Sequence, residues 1–221
     1  MNKDTLKRVL PMLVFVLLLM PIATSSLLDL EQRKVNELLL EQERVQREAE
    51  QKIYLMGKFD PAQREDFVLV PQEYTIVPNK IYLRKETLEA FLWMSATAEK
   101  DGIELKIASA TRNFDYQKDI WEKKWTGFTF VDGQDLSKSL LDGLERFQKI
   151  LEYSSVPGTS RHHWGTDVDI NNANLEYFET AEGEKVYDWL TKNAPRFGFC
   201  QTYNLKGSIR STGYNEEKWL W

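Results

Sequence analysis

The run Gly158-Thr159-Ser160-Arg161-His162-His163-Trp164-Gly165-Thr166-Asp167-Val168-Asp169-Ile170 holds both histidines of the chain. His162 and Asp169, with Gly165 between them to turn the backbone, can converge on one divalent cation. Hydrolytic zinc sites use three protein ligands and leave a fourth position for water. The metal lowers that water's pKa while a nearby carboxylate shuttles the proton. Because both histidines sit in this run, a third ligand from elsewhere cannot be an imidazole. A His–Asp pair alone is more often a plain hydrogen bond, so the surrounding elements must decide.

Those elements alternate between helix and strand patterns. Residues 67–70 and 74–77 read as short strands punctuated by Pro71 and Pro78. Residues 83–100 read as a helix with Leu88, Phe91, Leu92 and Met94 on one face, ended by Asp101-Gly102. Residues 103–107 alternate as a strand leading to Arg112; residues 114–125 and 137–153 read as two further helices. The alternation of residues 166–170 places Asp167 and Asp169 on one strand face. Residues 185–192 read as a helix, and strands are expected around residues 197–200 and near residue 221. There is no internal repeat, and the mixture predicts an α+β domain.

A net charge of −5 and a pI near 5.3 argue against a nucleic-acid partner. The lone Cys200 cannot form an intramolecular disulfide, and its apolar neighbours predict a buried, inert thiol. At the N-terminus, Lys3, Lys7 and Arg8 precede an apolar run over residues 9–23, and Ala23-Thr24-Ser25 offers small residues for cleavage. That layout predicts a signal peptide or signal anchor over residues 1–26, with the remainder exported. The protein is then either membrane-anchored facing the cell envelope or, once cleaved, secreted or periplasmic. Residues 27–53, rich in Glu, Gln, Arg and Leu, predict a helical stalk. Its thin stripe of Leu28, Val35, Leu38 and Val45 also leaves room for a short coiled coil and self-association. The globular domain occupies residues 54–221.

Ser160-x-His162-x-x-Gly165-x-x-x-Asp169, preceded by Pro157-Gly158-Thr159, resembles the signature of the zinc D-alanyl-D-alanine carboxypeptidases, the group of VanY-type carboxypeptidases, VanX-type dipeptidases and LAS peptidoglycan peptidases. Ser109-Ala110-Thr111-Arg112-Asn113-Phe114-x-x-Gln117 is similar to the family's arginine segment. Phe197-Gly198-Phe199 and the stretch from Arg210 to Trp219 resemble its closing segments. The resemblance implies a small antiparallel sheet with helices packed on one side, the LAS/hedgehog-like peptidase fold. It implies zinc as cofactor, a peptidoglycan stem peptide as substrate, and release of the terminal D-alanine. His162 and Asp169 match two zinc ligands, Glu217 the general base, and Arg112 the cation facing the substrate and its oxyanion. Ser160 and Gln117 match substrate-positioning residues. His163 is expected to pack rather than ligate, and Asp167 to serve the strand.

The departure lies at position 220. The family's Glu-x-Trp-His ends in its third zinc ligand, whereas this chain reads Glu217-Lys218-Trp219-Leu220. Leucine offers no lone pair, and each ligand contributes directly to a zinc affinity of roughly 10 kcal/mol or more. Three readings follow: an exported zinc carboxypeptidase, impaired or rescued by another ligand; a pseudoenzyme binding a cell-wall peptide or a protein partner; and a scaffold assembled through its N-terminal helix.

Overall fold

The computed structural model describes residues 3–208 and 210–221, with side chains from residue 28 onward. The chain divides into two compact units, Met1–Gln51 and Lys52–Trp221. Most of helix α1 (Lys3–Leu55) makes up the first. Residues 28–51 are exposed throughout, including Leu28, Val35, Leu38 and Val45. Their helix rests on residue propensity and on surface pairs such as Arg44 with Glu41 and Glu48, both at 2.6 Å. Such fully exposed pairs are screened by solvent and add little. The leader or anchor expected over residues 1–26 lies outside the residues whose side chains are described. Among the described residues no helix is long and apolar enough to cross a membrane.

In the second unit, β1 (Phe67–Leu69) pairs antiparallel with β2 (Tyr82–Arg84), Phe67 opposite Arg84. Helix α2 (Lys85–Lys100) follows directly and buries Leu88, Phe91, Met94 and Ala98 at helical spacing. Strand β3 (Ile107–Ser109) pairs antiparallel with β4 (Asp169–Ile170). Thr75 bridges to Ile107 on one side, and Leu220 bridges antiparallel to Asp169 on the other. Val168 and Trp221 exchange both backbone hydrogen bonds, at 2.9 and 3.0 Å, and Ile170 donates to the Trp219 carbonyl at 2.9 Å. Helix α6 (Ala181–Asn193) adds Val186 and Leu190 to the same core as Phe91, Ile107, Ile170 and Trp221. The unit is α+β, with helices packed against small antiparallel sheets.

A smaller cluster of Val131, Leu136 and Ile150, with Trp121 and Trp125, joins α3 (Phe114–Trp125), α4 (Leu136–Ser139) and α5 (Gly143–Leu151). Helix α3 has the bounds that its periodicity predicts, and Asn113 caps it by accepting from the Tyr116 amide at 2.9 Å. The single helix expected over residues 137–153 is two. Leu140 turns extended, and the Asp142 carboxylate caps a new start by accepting from the Leu144 and Glu145 amides. Of residues 74–77, expected as a strand, Tyr74 closes a 3-10 turn (Gln72–Tyr74) and Thr75 makes only an isolated bridge to Ile107. Another 3-10 turn, Ala194–Phe197, stands where Phe197 is expected in a strand. Cys200 is exposed rather than buried, because Phe199 takes the core-facing position beside it.

The last turn of α1 belongs to this second unit and braces the loop carrying both histidines. The Tyr54 hydroxyl donates to the Trp164 carbonyl at 2.8 Å, and Trp164 Nε1 donates to the Leu55 carbonyl at 3.3 Å. Gly57 (φ +68°) packs so closely on His163 that a Cβ there would lie 2.4 Å from Nδ1. Only glycine fits both that conformation and that approach.

Candidate active site

Strand β3 delivers Ser109 and Arg112 to the site, β4 delivers Asp169, and a 3-10 turn (Arg161–Trp164) delivers His162. That turn ends at Gly165 (φ +74°), whose absent Cβ would sit 2.3 Å from Phe67 Cε1. The Arg112 amide donates to the His162 carbonyl at 3.1 Å and ties the arginine segment to the histidine turn.

His162 is buried, with Nδ1 2.9 Å from the Ala110 carbonyl. A carbonyl only accepts, so Nδ1 carries a hydrogen, and in the neutral form of the ring the Nε2 lone pair faces Asp169. Nε2 and Asp169 Oδ1 stand 3.5 Å apart. Asp169 is 1 % exposed; its Oδ2 accepts from Arg112 Nη2 at 2.6 Å, whereas Oδ1 has no hydrogen-bond partner among the described residues. Burial pushes the Asp169 carboxyl up, but the charges of His162 and Arg112 outweigh it and the net direction is down. The orphaned oxygen and the facing lone pair are two donors aimed at one point, which suits two ligands of a cation. The buried Leu220 backs Asp169 across the antiparallel bridge and lines the same cavity. Among the described residues no three His, Cys, Asp or Glu side chains come together to hold a metal ion. The residues present therefore fit two thirds of a zinc site and not a whole one.

Glu217, 8 % exposed, lines the cavity with Glu216 beside it. Burial, reinforced by the Asp169 charge, pushes the Glu217 carboxyl up to about 8. That shift favours the protonated form at neutral pH, which can donate a hydrogen bond but cannot take up a proton. Ser160 is buried at the cavity wall. Gln117 is buried behind that wall; its Nε2 donates to the Ser155 carbonyl at 2.8 Å and its Oε1 has no partner among the described residues. It is not part of the lining. His163 packs as expected: Nδ1 donates to the Arg112 carbonyl at 2.6 Å and Nε2 accepts from the Gly158 amide at 3.0 Å. Asp167 is buried facing Arg161, whose Nε donates to it at 2.6 Å.

These groups surround a cavity of about 740 Å³. Its opposite wall comes from one stripe of α3, Tyr116, Ile120 and Lys124, and from Ser154 after α5. The i, i+4, i+8 spacing of that stripe marks Lys124 as facing the same way as Tyr116, a signal available in the sequence but not used there.

Residues 80–221 match the family model described as VanY, D-alanyl-D-alanine carboxypeptidase. This chain belongs to that family. Among curated proteins it is 28% identical over 173 residues to YodJ of Bacillus subtilis (strain 168), a carboxypeptidase by name, covering 75% of this chain and 54% of that protein. It is 29% identical over 127 residues to a D-alanyl-D-alanine carboxypeptidase of Enterococcus faecalis (strain ATCC 700802 / V583), covering 55% and 41%. The chain thus spans about half the length of these relatives. Among solved structures, the LdcB LD-carboxypeptidase superposes with a TM-score of 0.54 at 26% identity, covering 74% of this chain and 69% of that one. A mutant of the vancomycin-resistance D,D-pentapeptidase VanY in complex with Zn(II) superposes with a TM-score of 0.51 at 25% identity, covering 69% and 80%.

Proposed function

We propose that this protein is an exported member of the family that binds the C-terminal end of peptidoglycan stem peptides in the cavity without hydrolysing them. The single observation that carries this reading is Leu220, buried beside Asp169 at the position where the family resemblance requires a third donor. Zinc, present in the VanY complex, would find only His162 Nε2 and Asp169 Oδ1 here. When bound in full by a family member, the metal supplies an activated water. In this chain Arg112 stays committed to Asp169, and Glu217 is protonated near neutrality, in the wrong state for a general base. What remains is binding chemistry: the Glu217 carboxyl hydroxyl donates to a peptide carbonyl, Ser160 offers a hydroxyl, and Tyr116 and Ile120 of α3 cover the chain.

A second reading, a zinc-dependent D-alanyl-D-alanine carboxypeptidase, is favoured by the orphaned Asp169 Oδ1. An unpaired buried carboxylate oxygen is costly, and a cation would satisfy it. The test measures zinc per chain, calorimetric binding of a pentapeptide ending in D-Ala-D-Ala, and D-alanine release. Peptide binding with neither zinc nor release supports the first reading. One zinc per chain with steady release overturns it and establishes the second.

A further inference from the structure

Three cations line the cavity: Arg112, Arg161 and Lys124. Two are already neutralised, Arg112 by Asp169 and Arg161 by Asp167, each at 2.6 Å. Lys124 is different. Its neighbour Lys123 points outward and pairs with Asp119 at 2.6 Å, as a lysine in a last helical turn usually does. Lys124 turns inward instead, and its Nζ donates to the neutral Ser154 hydroxyl at 2.5 Å. Among the described residues it enters no ion pair, so one of its three donors is used and its charge is uncommitted. Burial and the Arg112 charge lower its pKa, with Glu217 and Asp132 pulling the other way. A half-buried, unpaired ammonium on a cavity wall carries a desolvation cost that an arriving anion relieves.

The same cavity carries Asp132, Glu176, Glu179, Glu216 and Glu217. A doubly charged phosphate would be repelled by that wall, whereas a single carboxylate needs only one uncommitted cation. We infer that Lys124, held by Ser154, is the subsite for the free terminal α-carboxylate of the bound peptide. The inference rests on the stem-peptide reading and adds to it the group that distinguishes a chain end from an internal stretch. A charge-assisted hydrogen bond lost inside a cavity corresponds to a roughly ten- to hundredfold change in affinity.

The test is calorimetry on the full chain, in chelator, with an acetylated tripeptide ending in D-Ala-D-Ala and with its C-terminal amide. Wild type should bind the acid at least about tenfold more tightly than the amide. Lys124→Met should bring the acid down to the amide's affinity and leave the amide unchanged, while Lys124→Arg keeps most of the preference. An undiminished acid preference in Lys124→Met overturns the assignment. So does an equal loss of acid and amide binding, the mark of a merely structural lysine. Equal binding of both peptides by wild type sinks the Lys124 assignment alone. Binding of neither sinks the stem-peptide reading together with it.

Discussion

Leu220→His is the perturbation that speaks most directly to the site. Leu220 is 3 % exposed, so its side chain contributes about 1.5–3 kcal/mol of burial, part of which an imidazole retains. The new ring brings polar nitrogens into a wall whose nearest strand neighbour is Asp169, and one unsatisfied buried group costs about 1–3 kcal/mol. The metal-free variant should therefore be less stable by about 2–4 kcal/mol, within the usual range for a core polar insertion. For a domain of this size that lowers Tm by roughly 5–15 °C. Zinc should reverse the loss. With His162 Nε2 and Asp169 Oδ1 already converging, a third nitrogen completes the set, and a ligand at a thousandfold excess over Kd stabilises by about 4 kcal/mol. Differential scanning fluorimetry with zinc or chelator, for variant and wild type, reads both effects. An equal zinc-induced rise in wild type would refute the reasoning, because two donors would then suffice. A folded variant that gains nothing from zinc would show that position 220 does not face the His162–Asp169 pair.

Arg112→Met should cost about 3–5 kcal/mol, since it strands the Asp169 charge at 1 % exposure. Adding Asp169→Asn should recover much of that in chemical denaturation, giving a strongly non-additive cycle. Glu217 sets the pH dependence of the chelated protein. Its carboxyl is raised from 4.5 to about 8, so stability is full below 4.5 and is lost as pH climbs toward 8. Glu217→Gln should flatten that slope and be more stable at pH 7 by about 2–3 kcal/mol in urea titrations; parallel pH profiles would contradict it. Gly165→Ala should cost about 2–4 kcal/mol in the same assay, from its positive φ and the collision with Phe67. Cys200 should react with a thiol reagent in the native state, without the lag of an unfolding step.

Much of this was legible in the chain. Helix α3 was readable over its full length, and β4 lies within the alternating stretch 166–170, whereas Phe197 stands in a 3-10 turn and not in the strand expected there. His162, Asp169, Arg112, Ser160 and Glu217 meet around one cavity because they sit in or just beyond the paired β3 and β4, in the turn that Gly165 closes, and in the C-terminal segment that bridges to β4. Strand bounds were less readable: β4 is two residues long, and its partner in residues 219–221 lies some fifty positions away, beyond any local signal. Gln117 stands on α3 one residue past Tyr116, and that step of about 100° turns it behind the wall. Residue spacing puts Lys124, and not Lys123, in line with Tyr116 and Ile120, but which face of α3 meets the cavity is set by its packing on α5.

The brace between α1 and the histidine turn separates two meanings of a domain boundary. The family model matches from residue 80. The groups that hold Trp164 and His163 in place, Tyr54, Leu55 and Gly57, lie well upstream of it. A recombinant fragment cut at residue 80 would keep every residue of the candidate site yet leave His163 and Trp164 without those upstream partners. The stretch that the family model matches and the stretch that holds the histidine turn in place begin at different residues, and the second begins first.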